Sequence, residues 1–387
     1  MTDKHIIYIG VNDKDLDFFE GQYMIPDGIT YNSYLILDEK IAIMDTVDQR
    51  KSQEFLDNLN MHLSGRTPDY LIVSHAEPDH ASSIRKLLDI YPDICVVGNA
   101  KTFQILSLYL DWQPQNTLTV KDGDMLAFGK YRLTFFMAPM VHWPEVMVSY
   151  EETTGTLFSA DAFGKFGALD TPADQTGRDW LCEARRYYFN IVGKYGGPVQ
   201  NLLKKLAPLN LQTIAPLHGP TLHAPLDFYL KKYDLWSRYQ PETEGVFIAY
   251  ASFHGNTASA ALLLKNYLQE KGCPAVEIAD LARDDMSEAI ENAFRYSKTV
   301  LAAPSYDGGL MPFMEDFLHH LRAKHFQNRQ IALMENGSWA PCAGKVMTDI
   351  LSTMKGITLL ASTVTLRGSV KASDIEQLGA LADMLLS

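Results

Sequence analysis

From Gly245 onward, strand-like apolar runs alternate one for one with helical patterns, and that alternation permits few folds. Strands are expected from Val246 to Ala251, Ala275 to Ile278, Thr299 to Ala303, Gln330 to Met334 and Thr358 to Val364. Helices are expected near Thr257 to Lys271, Ser287 to Phe294, Pro312 to Lys324 and Gly344 to Met354, with a last one from Ser373 to Leu386. Strands joined through helices pair in parallel, so this half predicts a doubly wound α/β sheet. Ligands of such sheets lie at the carboxyl ends of the strands.

Ahead of it, Ser237 to Gly245 is polar, contains a proline and ends in glycine, which marks a linker. The chain of 387 residues is long enough for two cores, and the expected domains are 1–240 and 245–387. The first half reads differently. Short strands are expected at Ile6 to Val11, Tyr34 to Leu37, Ile41 to Asp45, Tyr70 to Ser74 and Ile94 to Gly98. Further ones follow at Thr117 to Val120, Tyr131 to Pro139, Val146 to Tyr150 and Thr156 to Ala160. Helical patterns interrupt them at Gln49 to Leu63, Ala81 to Tyr91 and Lys101 to Leu110, which suits an α/β sandwich.

A formal net charge of -13 argues against nucleic acid or an anionic membrane as partner. No run approaches the ~20 apolar residues of a membrane span. Met1-Thr2-Asp3-Lys4-His5 lacks the basic-then-apolar pattern of a signal peptide. The four cysteines form no CxxC pair and read as thiols of a reducing compartment, so a cytoplasmic protein is expected.

The densest chemistry lies in His75-Ala76-Glu77-Pro78-Asp79-His80, directly after the apolar run Leu71-Ile72-Val73. Four potential ligands on one strand-end loop can feed two metal positions. His142, Asp161 and His218 each follow another strand-like run, so all seven can meet at one sheet edge. Four imidazoles and three carboxylates suit two metals, with Asp161 as the bridging carboxylate. The set favours iron or manganese, and zinc to a lesser degree. Vacant metal positions would bind a small substrate. His5, His62, His223, His319, His320 and His325 have no such setting and are expected to be solvated or structural.

This motif resembles the metallo-β-lactamase superfamily, with Glu77 standing where its hydrolases carry a second histidine of H-x-H-x-D-H. The glutamate version, with later His, Asp and His, is similar to the flavodiiron proteins. Tyr31-Asn32-Ser33-Tyr34-Leu35-Ile36 and Leu217-His218-Gly219-Pro220 extend the resemblance, which covers essentially the whole chain. It implies a metallo-β-lactamase-like αββα sandwich followed by a flavodoxin-like domain. It implies two non-haem irons, one held by His75, Glu77 and His142, the other by Asp79, His80 and His218, bridged by Asp161. Tyr187 or Tyr188 resembles a family tyrosine lining the substrate pocket.

A second site is expected in the later half. Ser252-Phe253-His254-Gly255-Asn256-Thr257 joins a strand to a helix and offers backbone N–H groups and small donors to a phosphate. It lacks the lysine of a triphosphate P-loop and is not G-x-G-x-x-G, which favours a monophosphate such as that of FMN. Pro304-Ser305-Tyr306-Asp307-Gly308-Gly309 and Glu335-Asn336-Gly337-Ser338-Trp339-Ala340 follow later strands and bring rings for an isoalloxazine to stack on. The loop order is similar to flavodoxin. His254 stands where the family often has Tyr or Trp, and the loop from Glu335 departs from its commoner glycine-serine-aromatic-glycine run.

FMN and two irons together store four electrons, enough to reduce dioxygen to water; two suffice to turn two nitric oxides into nitrous oxide. The resemblance implies that reductase activity, in a head-to-tail homodimer or dimer of dimers with Trp339 at the junction. With no CxxC rubredoxin module in the sequence, an external donor is expected, rubredoxin or reduced coenzyme F420. The alternatives are a zinc hydrolase with a regulatory flavodoxin domain, and a flavin carrier with an inactive metal domain.

Overall fold

The computed structural model describes residues 5–110, 113–170, 180–360 and 363–387. Residues 1–4 of the N-terminal stretch read above lie outside these. The chain divides into two compact units, residues 1–234 and 235–387. No described helix is long and apolar enough to cross a membrane.

The first unit is built on two six-stranded sheets. One runs Ile6–Tyr8, Tyr34–Leu37, Ile41–Met44, Tyr70–Ile72, Cys95–Gly98, Thr117–Thr119 in spatial order. The other runs Met125–Ala127, Arg132–Met137, Met147–Glu151, Thr156–Phe158, Thr213–Ala215, Leu222–His223. Alternate residues of a strand point to one face. Tyr34, Ile36, Ala42, Met44 and Ile72 of the first sheet therefore share one core with Leu133, Phe135, Met147 and Phe158 of the second. Ile41–Met44 is buried throughout, so its other face is covered as well. Helix Ser52–Leu63 buries Phe55, Leu56, Leu59 and Leu63 along one stripe, as an outer layer must. This is the αββα sandwich.

The strand expected from Ile6 to Val11 is two strands. Ile6–Tyr8 pairs with Tyr34–Leu37, whereas Val11–Asp13 pairs with Ile29–Tyr31. The chain changes partner at Gly10, where a Cβ would lie 2.5 Å from the Tyr31 carbonyl oxygen. The helix expected from Ala81 to Tyr91 is likewise two pieces, Pro78–Ala81 and Ile84–Ile90. Helices Trp180–Tyr187 and Gly196–Leu206 carry little outward sign in the sequence. The first buries Arg185 and Arg186 among its apolar residues, and the second opens on Gly196-Gly197-Pro198, which reads as a turn.

The second unit is a parallel sheet in the order Val276–Asp280, Thr243–Tyr250, Tyr296–Tyr306, Gln330–Asn336, with Thr358–Leu359 and Val364–Leu366 on the last edge. Numbered along the chain this is 2-1-3-4-5, the flavodoxin-like winding. Val246, Ile248, Val300, Ala302, Ala332 and Met334 face helices Asn256–Glu270 and Ala372–Leu386 through Leu264, Leu268, Leu378 and Leu381. The strand expected from Thr358 to Val364 is described as those two short segments, and its residues 361 and 362 lie outside the described ones.

Arg329 ties this unit together from inside. It is 2% exposed, and its guanidinium donates to the carbonyls of Phe294, Tyr296, Tyr239, Gln327 and Asn328. Removing the donors leaves those acceptors without them. Arg329→Met should therefore cost roughly 3 kcal/mol or more in urea unfolding, and Arg329→Lys should recover part of the loss.

Candidate metal centre and flavin pocket

The ligand candidates of the first unit stand at strand ends for a topological reason. Arg132–Met137 and Thr156–Phe158 are both antiparallel to Met147–Glu151, and Thr213–Ala215 is parallel to Thr156–Phe158. The three strands therefore point the same way, and His142, Asp161 and His218 follow them at one edge. His75 follows Tyr70–Ile72 of the other sheet. Asp45 shapes its turn by accepting the backbone N–H of Ser74 at 2.6 Å and of His75 at 3.3 Å. Glu77 stands just before the short helix that carries Asp79 and His80, its carboxylate turned to the histidines instead of capping the helix.

The seven side chains form two clusters, one of His75, Glu77, His142 and Asp161, the other of Asp79, His80 and His218. In the first, Glu77 Oε2 lies 3.0 Å from His75 Nε2 and 3.2 Å from His142 Nε2. Asp161 Oδ2 lies 3.0 Å from His142 Nε2 and 3.7 Å from His75 Nε2. In the second, Asp79 Oδ2 is 3.3 Å from His80 Nε2 and 3.4 Å from His218 Nε2, and those two nitrogens are 3.2 Å apart. Asp161 reaches this cluster with its other oxygen, Oδ1, at 3.4 Å from His80 Nε2 and 3.9 Å from His218 Nε2. One carboxylate thus faces both clusters, one oxygen to each.

The donor set fits a pair of metal ions. Both Asp79 oxygens and Asp161 Oδ1 are buried and make no hydrogen bond of acceptable geometry to the protein. Donor atoms spaced as these are surround a centre about 2.1 Å away, a metal–nitrogen or metal–oxygen bond length. The donors are nitrogen and oxygen without thiolate, which suits iron. Electrostatics agree. Burial lowers the His142 imidazole and His75 alike, but Asp161 and Glu77 outweigh it and hold His142 up at about 9 and His75 well above its usual range. Burial would raise the Asp161 carboxyl, yet the charges of His75 and His80 and the bond to His142 keep it well below the usual range.

Supporting contacts orient the imidazoles. Glu145 Oε1 lies 2.7 Å from His75 Nδ1 and accepts the Ala76 N–H at 2.9 Å. His218 Nδ1 is 2.6 Å from the Thr30 carbonyl, which leaves Nε2 as the free lone pair. Asn32, in the Tyr31–Ile36 stretch, clamps the His218 loop by donating to the carbonyls of Pro216 at 2.8 Å and Gly219 at 2.7 Å. The sequence reading missed Glu145, Asp45 and Thr30. An acid inside the otherwise apolar run after His142 was a signal for Glu145; a backbone carbonyl gives none. Tyr187 and Tyr188 part company here. The Tyr187 ring is 5.5 Å from that of His218, whereas Tyr188 packs on Phe189 and Tyr233. The Tyr187 hydroxyl is buried without a hydrogen bond of acceptable geometry, and burial with the charges of Asp161, Asp79 and Glu77 keeps it protonated.

The second unit holds a cavity of about 330 Å³ at the carboxyl ends of Thr243–Tyr250, Tyr296–Tyr306 and Gln330–Asn336. The first two of these strands flank the switch point of the winding. Ser252, Phe253, His254, Asn256, Thr257, Pro304, Ser305, Tyr306, Asp307, Gly308, Asn336, Gly337, Ser338 and Trp339 line it, joined by Ala340 and Gly368. Gly255 and Gly309 do not line it. Gly255, at φ +82°, turns the chain into helix Asn256–Glu270, and Gly309 pairs with Tyr306 in a small hairpin. Three expected ligand groups are engaged by the protein, the first being Ser252, whose Oγ accepts the Gly255 N–H at 3.1 Å. Asn336 exchanges hydrogen bonds of 2.9 Å with the Gly368 backbone, and Ser305 Oγ accepts from Cys342 N and Ala343 N. The start of a 15-residue helix and three largely exposed rings, Phe253, Tyr306 and Trp339, fit the phosphate and the planar ring of FMN.

Two substitutions test these sites. Glu145→Gln should weaken metal retention about 10–100-fold against a competing chelator while the protein stays folded. Thr257→Val should weaken FMN about tenfold by fluorescence titration and leave riboflavin, which has no phosphate, nearly unchanged.

Residues 29–219 match the family model described as ODP family beta lactamase. A putative diflavin flavoprotein of Nostoc sp. is 33% identical over 76% of this chain and 51% of its own length. This chain therefore spans about half the length of that relative. A nitric oxide reductase of Moorella thermoacetica is 29% identical, covering 90% of this chain and 88% of the other. The rubredoxin oxygen:oxidoreductase of Desulfovibrio gigas superposes with a TM-score of 0.92 at 24% identity, over 100% of this chain and 97% of that one. A flavodiiron protein of Giardia intestinalis gives 0.92 at 22%, over 100% and 96%. In its seven-residue cluster, its flavin-type pocket and these likenesses, the chain is similar to the flavodiiron proteins.

Proposed function

We propose that this chain reduces dioxygen to water, nitric oxide to nitrous oxide, or both, at a diiron centre supplied through FMN. The observation that carries the reading is Asp161, whose two oxygens face two separate groups of buried donors. His75, Glu77 and His142 would hold one iron, Asp79, His80 and His218 the other, with Asp161 between them. Ser252, Asn256 and Thr257 would hold the FMN phosphate, and Tyr306 and Trp339 the ring. When bound, the irons supply two electrons and open coordination positions, and FMN stores two more.

The protein's part is positional. Glu145 and the Thr30 carbonyl set the planes of His75 and His218. Phe19 lies 5.4 Å from the His218 ring and Phe166 lies 5.1 Å from that of Tyr187, which keeps water from this side. Tyr187 holds a proton at its hydroxyl beside the cluster. Dioxygen takes up four protons on its way to two waters, and two nitric oxides take up two, so a buried donor serves either substrate.

The electron donor is a separate redox partner, rubredoxin or reduced coenzyme F420. The working unit is a head-to-tail homodimer or a dimer of dimers. Trp339, 90% exposed in the lining of the flavin pocket, is the ring that such a partner would cover. A hydrolase has no use for the flavin pocket.

The test is gas consumption by protein shown to hold both FMN and iron, driven by reduced rubredoxin, with a zinc-loaded control. Uptake without peroxide, lost at least 100-fold in Asp161→Ala and absent with zinc, is the expected result. No consumption of either gas by the loaded protein would overturn the reading.

A further inference from the structure

Behind His142 stands Trp143, half-buried, whose indole meets the His75 ring edge-on with centroids 5.3 Å apart. It also lies 6.3 Å from the His142 ring. On its other side Trp143 stacks on Tyr109, with centroids 6.2 Å apart and planes 26° from parallel. Tyr109 ends helix Ala100–Tyr109 and is 55% exposed. A continuous series of ring contacts therefore leads from an imidazole of the metal cluster to solvent. Indole and phenol are among the side chains that give up a single electron most readily.

Neighbouring rings lack these properties. Phe19 and Phe166 are not oxidised in this way. Tyr187 is fully buried. Tyr31, 6.0 Å from the His218 ring, accepts a hydrogen bond from the Arg50 guanidinium at 3.0 Å, and that positive charge opposes loss of an electron.

We propose that Trp143 and Tyr109 form an outlet that carries oxidising equivalents from the metal cluster to the surface. The inference rests on the cluster being the oxygen-reducing centre. Dioxygen needs four electrons and four protons to leave as two waters. When it meets only three stored electrons, Trp143 gives the fourth. Trp143 is refilled by Tyr109, and the Tyr109 phenol loses its proton to bulk water. Dioxygen is reduced, Tyr109 is oxidised to a neutral phenoxyl radical, and one proton enters the solvent. The damage is moved from buried ligands to an exposed ring that external reductants can reach.

The test uses protein loaded with FMN and iron, reduced by three electron equivalents with limiting dithionite, mixed with dioxygen and freeze-quenched. A phenoxyl signal in the electron paramagnetic resonance spectrum is expected, and none with zinc in place of iron. Tyr109→Phe should remove that signal and place oxidised indole at Trp143 in peptide mass spectra. Trp143→Phe should remove both and shift oxidation onto the cluster residues, and Trp143→Tyr should restore the phenoxyl. With excess reductant, Tyr109→Phe should consume oxygen within twofold of the parent protein. Oxygen consumption without an aromatic radical, or with one unchanged in both Tyr109→Phe and Trp143→Phe, overturns the outlet alone. No oxygen consumption even by fully reduced protein overturns the oxygen-reductase reading and the outlet with it.

Discussion

Asp161 sits where two groups of imidazoles converge, and much of the first unit serves that placement. A carboxylate taken out of water is costly unless opposite charge surrounds it. Here the surroundings come from two sheets. His75, Glu77, Asp79 and His80 arrive on one loop of the first sheet, while His218 leaves the strand of the second sheet beside the one before Asp161, and His142 follows a strand two places away on its other side. None of the contacts to Asp161 exists in a local segment. The site forms only when the sandwich closes, so its electrostatics and the packing of the shared core depend on one another.

The second unit solves a different problem by a different route. Its pocket is built at the ends of parallel strands, where loops meet without any buried charge pair. The groups that shape it are mostly committed to the protein itself: Asn336 staples one loop to another, and Ser305 receives the start of helix Ala343–Leu351. What is left for a ligand is a helix start with its small side-chain donors and three rings. Recognition of a planar, phosphate-bearing molecule thus comes from shape, from backbone donors and from the small side chains Ser252, Asn256 and Thr257, with Asp307 and His254 as the charged or chargeable lining groups apart from the Tyr306 phenol.

Much of this was legible in the sequence where residue type and spacing carry the physics. The loop from His75 to His80 holds four donors in six residues, and the strand-end positions of His142, Asp161 and His218 follow from apolar runs that stop at a polar residue. The strand–helix alternation after Gly245 likewise determines a winding, since each helix forces a parallel crossover. What stayed hidden depends on tertiary structure. The partner change at Gly10 arises from a close approach to Tyr31, and Pro78 begins a separate short turn that no periodicity marks. Asn336 looks like a ligand group by its place in a loop, and only the position of Gly368 shows it to be engaged. Tyr187 and Tyr188 are adjacent and alike, and the turn of the chain decides which one faces His218.

The hydrogen bond between His218 and Thr30 is made to a main-chain oxygen. Every residue type carries that oxygen, but the buried Thr30 hydroxyl also accepts the Gly219 N–H at 2.6 Å, so the ligand's orientation is set by the path of the backbone and fastened by one side chain. Natural drift at that position should therefore be confined to side chains that keep this acceptor, because its loss would leave the buried Gly219 N–H without a partner. An insertion or deletion nearby, harmless to every chemically conspicuous residue, would turn the ring away. Among descendants of this chain, loss of that hydroxyl and changes in length should therefore be resisted at the same few residues.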